Sequence, residues 1–316
     1  MQKIKVKEPK KIMGYLAAIV SSILFGVMAI LVKLALKTGL DPFDVVFFRF
    51  FFTSFIIAIY VLVRRINLKL QWAQIWRIIF LALVGYAAMN ITYYTAFDRM
   101  PVSLAGMMHY IYPVAAVVIG RVIFKDHIGK ECYFAVALAV GGAMLLSFGD
   151  FQALDAIGIL CALLSGILYG LYAVGLGRPA LADLDSCAIV FYLCVFSTLF
   201  LGGFEAIRGV NPFGILTTKG LLIMLANAFF CTGFAMMIFR KAIVSVGAVP
   251  TTILSTLEPI TAAGLSLICF HETFNFLMIM GSALILIAVI LTVKPPKQKD
   301  TSAPSQEEEQ TTVTHT

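Results

Sequence analysis

The sequence predicts an all-α polytopic membrane protein, with ten transmembrane helices built as two inverted five-helix repeats. Three observations point there. Of 316 residues, 60% are hydrophobic and 13% charged, at a mean hydropathy of +0.95, which is more apolar surface than one soluble core can hide. Apolar runs of about 20 residues, the length of a helical crossing, recur along the whole chain. Two stretches of the first half also match two of the second at nearly constant offsets.

The crossings are expected near 12–37, 42–63, 74–97, 102–123, 131–148, 155–176, 185–205, 217–241, 246–270 and 274–293. The first run reaches Leu36 with Lys33 as its only charge. That is too long for the core of a cleaved signal peptide, and no small-residue cleavage site follows it, so it is expected to persist as a helix. Asp41-Pro42, Arg99-Met100-Pro101, Gly149-Asp150, Arg178-Pro179 and Asn211-Pro212 supply turn chemistry between runs. These short loops leave no room for an extramembrane domain. Residues 1–11 read as a basic cytoplasmic N-terminus, and the polar stretch 294–316 as a disordered cytoplasmic tail.

Charge sets the orientation. With the N-terminus inside, 18 of the 24 Lys and Arg fall on the inner side, from Lys3 through Arg64, Arg121, Arg178 and Arg240 to Lys299. Five fall outside (Lys33, Lys37, Arg99, Arg208, Lys219), and Arg49 lies within a span. The asymmetry obeys the positive-inside rule and puts both termini in the cytoplasm. The net charge of +7 is spread over short clusters between apolar runs, so it suits lipid headgroups rather than nucleic acid. All six cysteines sit in apolar stretches without C-x-x-C spacing and read as small buried hydrophobes.

Shifted by 144 residues, GYLAAIVSSILFGVMA (14–29) falls on GILCALLSGILYGLYA (158–173), matching at Gly14, Ser21 and Gly26 among others. Shifted by 146, residues 96–127 fall on 242–273 and pair Pro113 with Pro259, Phe124 with Phe270 and Asp126 with Glu272. Five crossings is an odd number, so the repeats 12–148 and 155–293 enter the membrane from opposite sides, as in secondary transporters. In that design an interrupted helix at equivalent positions points to the site, here Tyr112-Pro113 and Glu258-Pro259.

At these landmarks, together with the serine- and glycine-bearing first helix of each half and the Arg49-Phe50 pair, the chain resembles the ten-helix EamA-type members of the drug/metabolite transporter superfamily over about 14–293. The resemblance implies a carrier of small solutes such as amino acids, other metabolites or drugs, usually working outward. It also implies a bacterial inner membrane and a central cavity lined by helices one, three, four, six, eight and nine. No carboxylate lies in the first helix, so the proton-coupling residue of the small four-helix multidrug members has no counterpart there.

Glu258 lies about 12 residues from either end of its span, roughly 18 Å at the helical rise, near the midplane. An ionised side chain there costs about 2.5–3.5 kcal/mol on insertion scales, and the adjoining Pro259 frees a carbonyl that must face protein or water. Both fit the wall of a polar cavity. The other reading is structural, a Glu258–Arg49 pair that also could serve as a gate. Tyr112, Asn227, Asn90, Tyr94 and Tyr169 are further substrate-contact candidates. His109 shares a helical face with Tyr112 and could relay protons or bridge helices. Ser22-x-x-x-Gly26 and Gly166-x-x-x-Gly170 read as packing faces. Asp126 and Glu272 read as turn caps or a gating pair.

No phosphate loop, HExxH or metal-ligand spacing occurs, so neither an enzyme nor a cofactor or metal is expected. An exporter working by alternating access is the expectation, with a small-molecule substrate, protons as the candidate coupling ion, and a monomeric or homodimeric state. An uncoupled facilitator and, less favoured, a receptor or assembly protein are the alternatives.

Overall fold

The computed structural model describes residues 8–125, 155–176, 179–181, 184–209, 211–246, 257–271 and 276–293, with scattered positions in 134–145 and at 254. Asp126, Glu272 and most of the predicted crossing 131–148 lie outside the described residues. Every regular element described is helical. Seven helices are long and apolar enough to cross a membrane: Ile12–Leu36, Pro42–Arg64, Trp72–Arg99, Val102–Ile123, Ala156–Leu176, Cys187–Arg208 and Thr218–Phe239. Two shorter apolar helices, Ile260–Phe270 and Ile279–Ala288, follow.

Helix α1 (Glu8–Leu36) ends in a turn where Gly39 takes φ 97°, a backbone conformation that costs glycine little. Helix α2 (Pro42–Arg64) starts in a capping box, with the Asp41 side chain accepting from the Asp44 amide at 2.9 Å and the Asp44 side chain accepting from the Asp41 amide at 2.9 Å. Pro42 occupies the first turn, where no amide is needed. Helix α3 (Trp72–Phe80) passes through a π-helical segment, Leu81–Ala87, into α4 (Ala88–Arg99). The next span is two helices, α5 (Val102–His109) and α6 (Tyr112–Phe124). Pro113 has no N–H to offer the His109 carbonyl, and the chain turns at Tyr110–Ile111.

Helices α7 (Ala156–Leu176), α8 (Ser186–Arg208) and the short α9 (Pro212–Ile215) follow. Helix α10 (Thr218–Ala226) then runs through a second π-helical segment, Asn227–Phe234, into α11 (Ala235–Val246). Helices α12 (Leu257–Phe270) and α13 (Phe276–Val293) complete the described chain. The two π-helical segments begin at Leu81 and Asn227, and 227 − 81 gives 146, the sequence offset of the second matched stretch. A π turn misaligns backbone groups, and side chains take them up: Ser197 of α8 donates to the Ala82 carbonyl at 3.1 Å, and Thr232 to the Asn227 carbonyl at 3.3 Å.

Helix α1 packs against α11 and α12, and α7 against α4 and α6. Two of the glycines permit close approaches beside the interrupted spans. A Cβ on Gly26 would stand 2.9 Å from the Glu258 carbonyl oxygen, and one on Gly170 would stand 3.0 Å from that of Tyr112. The small-xxx-small faces therefore seat α1 on the Glu258 turn and α7 on the Tyr112 turn.

One end of the bundle is laced together. Lys33 of α1 donates to the Phe97 carbonyl, Arg99 pairs with Asp155, and Arg208 pairs with Asp41 at 3.5 Å and Glu205 at 2.9 Å. The hydrogen bond from Arg99 holds the Asp155 carboxyl below its usual range. That link is complete above the ordinary carboxylate pKa and is lost as pH falls through the lowered value.

Gly26→Leu and Gly170→Leu are expected to lower stability by about 1–3 kcal/mol through overpacking. Gly264→Ala, with nothing within 4 Å of the added methyl, is expected to be neutral or to stabilise by about 0.5–1 kcal/mol. Thermal unfolding in detergent checks both.

Candidate functional site

Arg49 lies on the buried face of α2, 5% exposed. Its Nη1 donates to Asn90 Oδ1 at 2.6 Å and to the Tyr94 hydroxyl, and its Nε donates to Thr232 Oγ1 at 3.1 Å. Asn90 and Tyr94 share a face of α4 at i, i+4 spacing, while Thr232 is presented by the second π-helical segment. Asn90 also donates to the Tyr86 carbonyl at 2.8 Å, which orients its amide with the oxygen toward the guanidinium. The rings of Phe50 and Tyr94 each stand 5.9 Å from the guanidinium carbon, within cation–π range. Nη2 has no hydrogen-bond partner among the described residues.

Arg49 lines a cavity of about 410 Å³, within the range of small-ligand sites. Glu258, in the first turn of α12, stands on the same wall, together with Asn90, His109, Tyr112 and Tyr169. No ion pair joins Arg49 to Glu258 among the described residues, because the guanidinium is held by neutral oxygens instead. Much of the remaining wall is aromatic and thioether, including Tyr86, Tyr93, Tyr172, Met89, Met236 and Met237.

The aromatic residues form a continuous panel. Tyr86 stacks on Tyr172 at 5.1 Å, Tyr172 on Tyr169 at 5.6 Å, and Tyr169 meets Tyr112 edge-on at 4.6 Å. His109 stacks on Tyr93 at 4.1 Å and sits 2.8 Å from Ser165 Oγ through Nδ1. The Ser165 hydroxyl donates to the Ala162 carbonyl at 2.6 Å, so this network assigns the ring proton to Nδ1 and leaves Nε2 an acceptor.

The cavity leads away from the laced end. Tyr60 near the end of α2, Leu176 at the end of α7, and Cys187 and Val190 at the start of α8 line its other extremity. Those helix ends are neighbours, since Gln74 donates to the Ala180 carbonyl at 3.2 Å and Tyr192 to the Leu68 carbonyl at 2.6 Å.

Comparison with known proteins identifies the fold. Residues 12–148 and 156–294 each match the EamA-like transporter family. The chain belongs to that family. The pseudopaline exporter CntI of Pseudomonas aeruginosa is 23% identical over 296 residues, covering 90% of this chain and 97% of that protein. The uncharacterized transporter YwfM of Bacillus subtilis is 25% identical over 244 residues, covering 76% and 80%. One solved crystal structure aligns with a TM-score of 0.62 at 15% identity over 88% of this chain and 95% of its own, a likeness of fold. The family and these relatives are transporters, not enzymes, so this EamA-like chain is an integral membrane transport protein.

Of the residues singled out in the sequence, the EamA-like cavity brings together Glu258, Arg49, Asn90, His109, Tyr112 and Tyr169. Tyr94 stands behind Arg49, fully buried, and reaches the cavity only through it. Asn227 is not on the wall: it opens the second π-helical segment, fully buried, with both side-chain polar atoms lacking a partner among the described residues. Pro113 and Pro259 lie in the first turns of α6 and α12. Thr232 and Tyr86 were not legible as site residues, because neither carries charge nor interrupts a helical pattern. Tyr94→Phe and Asn90→Leu, each removing an acceptor from a buried charge, are expected to cost about 1–3 kcal/mol. Arg49→Lys is expected to cost at least as much, since an ammonium lacks the planar fork. Thermal unfolding of detergent-purified variants measures this.

Proposed function

We propose that this chain is a secondary transporter exporting small metabolites such as amino acids or drugs by alternating access around the Arg49–Glu258 cavity. The observation that carries the reading is one cavity wall holding a guanidinium edge and a carboxylate, each without a partner among the described residues, beside an aromatic panel. Such a wall offers an anion and a cation their counter-charges, and an apolar body its packing surface.

In this reading ten helices form two inverted repeats across a bacterial inner membrane, with both termini cytoplasmic. Support comes from three paired features: the π-helical segments 146 residues apart, Gly26 on the Glu258 turn against Gly170 on the Tyr112 turn, and Pro113 and Pro259 in the first turns of α6 and α12. Each pair joins the first helix of one half to the fourth of the other, or repeats a defect at the equivalent place. By the distribution of Lys and Arg the laced end is outer and the open end inner, so the conformation is inward-facing. Asp126 and Glu272 would gate the ends of their helices, and monomer or homodimer is the expected state.

Protons are the proposed coupling ion, carried by Glu258, the cavity carboxylate without an ion partner among the described residues. In proteoliposomes, Glu258→Gln is expected to abolish uptake driven by an imposed pH gradient while keeping downhill exchange. Glu258→Ala is expected to lose saturable flux altogether. Pooled radiolabelled amino acids, nucleosides and cationic dyes supply the substrates. Full gradient-driven flux in both variants would make Glu258 structural, and exchange without any response to pH in the parent protein would favour an uncoupled facilitator.

A further inference from the structure

At the laced end, three carboxylates meet, two from one helix start and the third distant in sequence. Asp41 and Asp44 come from the start of α2 and Glu205 from the end of α8, and one oxygen from each lies within 4.8 Å of one from each of the others. Asp44 and Glu205 are 2% and 1% exposed. Their Oδ1 and Oε2 atoms are buried without a hydrogen-bond partner among the described residues. The other oxygens are engaged: Asp41 Oδ1 and Asp44 Oδ2 close the capping box, and Glu205 Oε1 takes Arg208 at 2.9 Å. Among the described residues Arg208 is the one cation pairing with the group, at 3.5 Å from Asp41 Oδ2. Three carboxylates against one guanidinium leave a formal charge of −2.

Buried carboxylate oxygens without partners are costly, and the deficit here has the size and chemistry of one hard divalent cation. We propose that Asp41, Asp44 and Glu205 form a site for Ca²⁺ or Mg²⁺ at the outer ends of α2 and α8. An all-oxygen donor set with no thiolate or imidazole suits hard ions such as these. Asp41, with 40% of its side chain exposed, gives the ion access, and water completes its coordination. The two helices already touch there through the stacked rings of Phe43 and Phe204, 5.4 Å apart, so a bound ion fastens a contact that exists. This site is independent of what the cavity carries.

The test uses the full chain, purified without divalent ions, with equilibrium dialysis against CaCl2 and against MgCl2 and thermal unfolding in parallel. One ion per chain is expected, with a dissociation constant on the order of 10⁻⁴–10⁻³ M, as for sites with few protein ligands, and a matching rise in Tm. Asp44→Asn and Glu205→Gln are expected to weaken binding roughly tenfold or more. Arg208→Gln removes the competing cation and is expected to bind several-fold more tightly, which keeps the test decisive if a carboxylate variant fails to fold. No saturable binding by the parent protein well above that range overturns the proposal. So does binding unchanged in Asp44→Asn and Glu205→Gln, or binding not strengthened in Arg208→Gln.

Discussion

A buried arginine is the constraint on which this architecture turns. An isolated guanidinium at membrane depth is expensive, and among the described residues no carboxylate lies within ion-pair distance of it. Neutral oxygens from three places accept its hydrogen bonds instead: Asn90 and Tyr94 on α4, and Thr232 on the second π-helical segment. Because the charge must be solvated by the protein, those elements are fixed relative to α2. One edge of the guanidinium has no partner among the described residues, and neither has Glu258, which lines the same cavity. In the proposed function, solvating Arg49 with dipoles rather than a counter-charge leaves two opposite charges for a ligand.

The helices are shaped around that arrangement by defects. Both π-helical segments widen a span where it borders the cavity or its support. At the α5–α6 break, His109 is presented to Ser165 while Gly166 lets α7 come against the His109 carbonyl, 2.7 Å from where a Cβ would be. Gly26 does the same for α1 beside Glu258. Irregular backbone at membrane depth is tolerated where protein covers it, and small residues bring that cover close. The result is a preformed cavity on rigid supports, closed at one end by polar contacts between helix termini.

Much of this is legible in the sequence because hydropathy and helix-breaking chemistry are local signals. The observed spans from α1 to α11 begin and end near the predicted runs, as the lipid environment demands of any chain this apolar. Charged or ring-bearing residues out of place in apolar runs, Arg49, Glu258, His109 and Tyr112, do converge on one cavity. What resisted reading depends on rotation and register. Asn227 looks as good a candidate as Asn90 by depth, yet it turns into the packing and only Asn90 reaches the wall. Thr232 matters only because a π turn rotates it toward Arg49, and no propensity marks that turn. The carboxylate cluster joins residues more than 160 positions apart by number, so no spacing motif could announce it.

The central claim is that the cavity opens to one side of the membrane at a time. Met236 lines it, and Met236→Cys in a chain whose six native cysteines are replaced by serine gives a reporter within it. Modification by a membrane-impermeant thiol reagent, compared in inside-out and right-side-out vesicles, tests the claim most directly. The account predicts rapid reaction from the cytoplasmic side at rest, with reaction from the outside rising only during turnover. Equal reactivity from both sides at rest, or reaction from the outside alone, would contradict it.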